Sequence, residues 1–183
     1  IETFRVFEDL GASFHELSIP LVQDSSTTFI AVADTDAAAF HSRWMTDKIN
    51  EYDWNTRSRL ESAHLVPAHV YIQAQRMRTM IRLEMLEALN TYDILIAPSG
   101  NEIAQILHNS TGQPGGDYHM NKDLVRRRLM SSVALAGLPA LSVPCGFSKS
   151  GMPVGLQLIG RPFEESTLFN AGFAYETSTN WHS

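Results

Sequence analysis

Cys145 is the chain's single cysteine and stands in the run Ser142-Val-Pro-Cys-Gly-Phe-Ser-Lys-Ser-Gly151. A cysteine hydrolase needs a base and an electropositive setting that holds the sulfur as thiolate. No histidine lies near Cys145 in sequence, and a small apolar thiol between Pro144 and Gly146 reads as packing at a strand end. A nucleophilic cysteine remains the rival reading. Ser148 follows in the same run. A nucleophile elbow needs glycine two residues before and two after the serine, on a strand-to-helix turn. Gly146 supplies the first, but Ser150 occupies the second, and the setting is strand-to-strand. Ser148 therefore reads as a surface turn. Among seven histidines, His64 and His69 are five apart, which does not align them on one helical face. HExxH and CxxC patterns are absent, so no metal is implied. Arg126, Arg127 and Arg128 could clamp an anion, or could form a cationic helix end or a solvated face. Gly112, Gly115 and Gly116 lack a following Lys-Ser/Thr, so a phosphate loop is not indicated. Arg59, taken alone, is an ordinary surface arginine of a helix.

The elements that must position these groups alternate helix and strand. Residues 2–10 form a short helix ending at Gly11, a natural left-handed stop. Ala12–Ile19 reads as a strand closed by Pro20. Residues 27–47 are Ala-rich and helical, 49–54 break the helix, and a second helix runs to about His64. After Pro67, Val70, Ala74, Met77, Ile81, Met85 and Leu89 recur at three- and four-residue steps, which predicts a long amphipathic helix. Tyr92–Ala97 is a short apolar run ending at Pro98 and reads as a buried strand of a largely parallel sheet. Residues 98–117 form the longest irregular stretch and 121–135 a helix. Ala140–Val143 and Val154–Ile159 are two strands around a Gly/Ser/Pro-rich turn, and Glu164–Glu176 is a last helix. The pattern predicts an α/β fold.

Composition excludes several classes. A net charge of -6 leaves no electrostatic footprint for nucleic acid. No apolar run is long enough to span a bilayer, and no basic region precedes an apolar core at the N-terminus. One cysteine cannot make an internal disulfide and fits a reducing compartment, which points to the cytoplasm. The first residue is Ile1 inside a predicted helix, as in a truncated chain.

The segment Gly137–Pro162, GLPALSVPCGFSKSGMPVGLQLIGRP, resembles the C-terminal signature region of the amidase signature family. Leu10-Gly11-Ala12 with Pro20, Ala38–Trp44 followed by Tyr52-Asp53 and Arg57–Leu60, Pro67–Arg78, Tyr92–Pro98 and Thr167–Glu176 resemble further family segments in the family order. The resemblance implies a mixed β-sheet flanked by helices, with residues 1–183 as the C-terminal portion of a single domain. It implies a parent enzyme that hydrolyses carboxamide C–N bonds through a serine nucleophile, a second serine joined by a cis peptide, and a lysine. The family's Gly/Ser-rich loop and lysine have no counterpart here, so no catalytic residue is assigned and the chain alone is expected to be inactive. The implied partners are a small amide substrate and the missing half of the domain, with a homo-oligomer possible; no cofactor is implied.

In amidotransferase A subunits, which belong to this family, an arginine preceding an apolar residue binds the substrate's α-carboxylate. Arg59-Leu60 matches that position by spacing. The aspartate that receives the α-amino group aligns with Arg127. This reversal of charge argues against glutamine as substrate. The resemblance thus marks Arg59 and Arg127 as substrate-binding candidates. The family's Pro-Thr-Thr-Pro is replaced by Pro98-Ser99-Gly100-Asn101. A non-catalytic binding module or degenerate paralogue is the alternative reading.

Overall fold

A computed structural model describes residues 2–104 and 120–181, with residues 2 and 120–127 described by their backbone alone. The elements follow the predicted order except at Ala12–Ile19. Helix α1 (Glu2–Asp9) is followed by an irregular stretch and a 3₁₀ turn at Pro20–Asp24. Helix α2 (Ser25–Phe29), a π turn (Ile30–Asp34) and α3 (Thr35–Asp47) form one continuous rod, then come α4 (Trp54–Ala63) and α5 (Ala68–Thr91). Strand β1 (Leu95–Pro98), α6 (Met120–Ala136), β2 (Ala140–Phe147), β3 (Pro153–Ile159) and α7 (Glu165–Thr177) complete the order.

The described strands form one sheet in the order β1-β3-β2. Both pairings are antiparallel, with Leu95 opposite Ile159 and Leu141 opposite Leu158. The expectation of a largely parallel sheet is corrected here for the described strands: a short apolar run reports burial on both faces but carries no information about direction. Ala12–Ile19 is likewise not a strand in this structure, because a strand exists only against a partner and this stretch has none among the described residues. β1 begins at Leu95, not Tyr92.

Side-chain alternation divides the sheet's two faces. Leu156 and Leu158 point into a cluster with Val143, Leu168, Tyr175 and Phe7, which seats α7 and α1 on one face. Ile159 points the other way, into the larger cluster of Ile81, Met85 and Leu89 from α5 with Val133 and Leu138 from α6 and the turn after it. The α5 stripe is the one read from the sequence: Ala74, Ile81, Met85 and Leu89 are buried.

Three arginines join helix ends to their surroundings. Arg78 donates to the Leu135 carbonyl at 2.9 Å, and Arg82 donates to the carbonyl of Ala136. Both satisfy terminal carbonyls of α6 and place positive charge at the negative end of its dipole. Arg161 does the same for α5, donating from Nε to Leu89 O at 2.8 Å and from Nη2 to Tyr92 O at 3.2 Å. α6 stops at Gly137, whose φ of +61° suits glycine. Leu138 N–H reaches Val133 O and Gly137 N–H reaches Ala134 O, the paired bonds of a Schellman stop. Among the described residues no helix is long and apolar enough to cross a membrane.

Candidate functional site

Arg59 projects from α4 to the end of the π turn. Its Nε lies 3.3 Å from Asp34 Oδ2, and its Nη2 pairs with Asp34 Oδ1. The two atoms of the fork meet both carboxylate oxygens, a geometry that fixes orientation as well as charge. The π turn inserts an extra residue into the rod and brings Asp34 to this position. Such turns recur at functional sites. One helical step on, Asp36 Oδ1 accepts from Tyr71 Oη at 3.0 Å, and Gln75 Nε2 donates to Tyr71 Oη at 2.8 Å. A polar line therefore runs from α4 across the rod to α5. The Arg59 side chain is 46% exposed and its partner Asp34 only 14%, so the carboxylate is the more buried member of the pair. Sequence analysis marks Arg59 as a candidate and passes over Asp34, its partner here. The signal was present in the Asp34-Thr-Asp36 spacing, but the π turn that selects one of the two carboxylates leaves no mark in composition.

A second polar row lies on the sheet. Ser99 Oγ and Ser142 Oγ are 2.6 Å apart across the width of β3. Gly155 sits between them on that face: a Cβ there would be 2.8 Å from Ser99 Oγ and 3.2 Å from Ser142 Oγ. Glycine is thus what permits the two hydroxyls to meet. Gln157 continues the row, its Oε1 buried and without a partner among the described residues. The serine pair is not a nucleophile and base. The two hydroxyls bond to each other, and among the described residues no imidazole or amine is hydrogen-bonded to either. Ser99 comes from the Ser-Gly-Asn stretch that departs from the family pattern, so that departure falls on this face of the sheet.

The remaining candidates resolve without chemistry. Cys145 packs against the cluster of Val143 and Tyr175, on the α7 face of the sheet. Burial pushes its thiol above the usual range, and a hydrogen bond with Thr3 acts in the opposite direction. That is the setting of an inert thiol, not of a thiolate. Ser148 stitches the hairpin: its N–H donates to Met152 O at 2.8 Å and its Oγ accepts from Met152 N–H at 3.1 Å. Among the described residues no group of histidine, cysteine and carboxylate side chains could hold a metal. The side chains of Arg126 and Arg127 and the glycines at 112–116 lie outside the described residues.

With these positions fixed, likeness to known proteins decides the family. The amidase family model matches residues 2–169. The chain belongs to the amidase signature family. Among curated relatives, the A subunit of the glutamyl-tRNA(Gln) amidotransferase of Hahella chejuensis is 34% identical over 206 residues, covering 99% of this chain and 41% of that protein. An amidase of Pseudomonas putida is 32% identical over 182 residues, covering 96% of this chain and 37% of its own length. Among solved structures, an amidase superposes with a TM-score of 0.81 at 24% identity, over 98% of this chain and 42% of its own. The corresponding amidotransferase protein of Thermotoga maritima superposes with a TM-score of 0.75 at 26% identity, over 100% of this chain and 38% of its own. The chain thus spans about two fifths of the length of these relatives. The α/β fold expected from the family resemblance is the one observed.

Proposed function

We propose that this chain is the C-terminal portion of an amidohydrolase domain. The parent enzyme hydrolyses a carboxamide C–N bond to an acid and an amine or ammonia. Its serine nucleophile, second serine and lysine lie outside residues 1–183. The observation that carries the reading is the family match over residues 2–169 in a chain that covers only 37–41% of its matched relatives. General base catalysis through serine and lysine, with backbone N–H groups holding the oxyanion, requires neither metal nor cofactor.

In this reading the chain supplies a wall of the substrate pocket. Arg59 is oriented by Asp34 and contacts the remote, anionic end of the substrate, and the family resemblance adds Arg127 as a second cation there. Two arginines in place of an arginine and an aspartate disfavour a zwitterionic amino-acid amide such as glutamine and favour an amide carrying only negative charge.

The test is an activity assay on a panel of aliphatic and aryl amides, some with a terminal carboxylate. The purified chain alone should give the buffer rate. Turnover well above buffer, lost on mutating a residue of this chain, overturns the reading.

A further inference from the structure

Two stretches of backbone face one groove, and among the described residues neither is paired there. The first is the outer edge of β1. Ser99 donates its N–H to Gly155 O at 2.9 Å, so Ser99 and Gly155 form a hydrogen-bonded pair. Antiparallel pairs alternate between bonded and non-bonded. The register Leu95↔Ile159 and Ala97↔Gln157 therefore turns the polar groups of Leu95 and Ala97 towards β3. The N–H and C=O of Ile96 and the C=O of Pro98, which has no N–H, point away from β3. The second stretch is residues 12–19. It holds no helix or strand between Gly11 and Pro20, and among the described residues no backbone–backbone hydrogen bond involves residues 13–18.

Both stretches line one groove of about 1160 Å³, with Ser13 and Leu17 on one side and Ile94 and Ile96 on the other. Neither stretch is adrift. Phe14 packs edge-on against Phe4 and Phe7, and the rings of His15 and Tyr92 lie 5.8 Å apart where the two stretches meet. An open edge is a template for another strand, and main-chain pairing is how strand addition gains affinity.

We infer that this groove is a slot for one β-strand, bonded on both sides, and that the strand comes from the part of the amidase domain outside this chain. Two observations select that occupant over a second copy. A strand that fills the slot needs both of its edges free. Each strand described here already has one or both edges paired: β1 and β2 with β3, and β3 with both. The relatives, in turn, carry about three fifths of their length beyond the matched region. The slot also dictates the strand's pattern. Ile96 stands opposite Leu158 and shares its face, so every second residue of the incoming strand meets the apolar cluster of Phe7 and Leu158.

Amide hydrogen exchange tests this, using the chain co-expressed with the segment of the Pseudomonas putida amidase that it does not match. In the dilute chain alone, the amides of residues 13–18 and of Ile96 should exchange freely. Those of Leu95 and Ala97, which face β3, should be slow and serve as the internal control. In the complex, the amides that face the slot should slow by on the order of a hundred-fold, as paired strands do. Failure to associate, association that leaves these amides fast, or protection in the chain alone that grows with its concentration would each overturn the slot. Amide turnover is read from the same sample. Protection without turnover leaves the slot standing and counts against the hydrolase reading, and turnover without protection does the reverse.

Discussion

A half-buried thiol and a half-buried carboxylate act differently on the chemistry around them. Burial raises the Cys145 thiol, so the neutral form is the one the fold favours. The unfolded chain ionises this thiol near pH ~8.5 while the folded chain still holds the proton. Its contribution to stability is therefore complete below that pH and falls as the pH climbs towards the folded value. Cys145→Ala should remove this alkaline component from a pH series of denaturation midpoints, at a cost of about 1 kcal/mol at neutral pH. Iodoacetamide should label the wild-type thiol slowly at pH 8, and fast labelling with loss of activity in the complete enzyme would make it a nucleophile. At Arg59 the carboxylate of Asp34 holds the fork in place. In the complete enzyme Arg59→Ala should raise KM for an anionic amide more than it lowers kcat, because a remote contact acts about equally in ground and transition states. A variant with wild-type KM for anionic and neutral amides alike would remove Arg59 from the pocket. Arg59 became legible as a candidate only through the family resemblance, since taken alone it reads as an ordinary surface arginine. Asp34, Ser99 and Ser142 did not, because each acquires its partner only through a π turn or a sheet register.

Among the elements, what was legible follows the same division. The α5 stripe, the stop at Gly11 and the hairpin strands are written in local periodicity and turn residues, and the structure has them. The direction of β1 and the state of residues 12–19 depend on partners distant in sequence, and both readings needed correction. The arginines of α5 lie between these cases. Arg78 and Arg82 fall off the apolar stripe and look like solvent-facing charge. Their role appears only when α6 ends beside them with its carbonyls unpaired. Gly137 concentrates this arrangement, since its left-handed backbone both ends α6 and leaves room for the Arg82 guanidinium, 3.4 Å from where a Cβ would be. Gly137→Ala should cost about 1–2 kcal/mol from the left-handed conformation alone. The check is the urea midpoint beside that of an alanine substitution at Gly151, which also has a positive φ but nothing within 4 Å of its Cβ position. Gly151→Ala should cost less. Equal losses would show that the α6 stop and the Arg82 contact add nothing to backbone strain.

The molecule as a whole exposes more surface than its mass requires. Its accessible area is 12285 Å² for 20.4 kDa, where a compact monomer of that mass exposes about 8,800 Å². The difference exceeds the area that a standard protein–protein interface buries. Part of the surface is conspicuously apolar: Phe40, Leu65, Phe163 and Phe173 are 70% exposed or more. Phe40 packs edge-on against Trp44, an exposed neighbour on the same face of α3. Single exposed apolar residues are ordinary, but aromatic groups at helical spacing on several elements are not. These faces belong to a chain that spans about two fifths of its relatives' length, and the proposed function expects them to be buried against the remainder. At micromolar concentration the chain alone should therefore self-associate and bind a dye for apolar surface. Co-expression with the unmatched segment of the Pseudomonas putida amidase should suppress both. Multi-angle light scattering across a hundred-fold dilution, read beside dye fluorescence, makes the measurement. A monomer that persists at every concentration and leaves the dye dark would mean that these faces are complete as they stand. The excess area would then have to be carried by polar surface, and the chain would be a self-sufficient module of the amidase signature family.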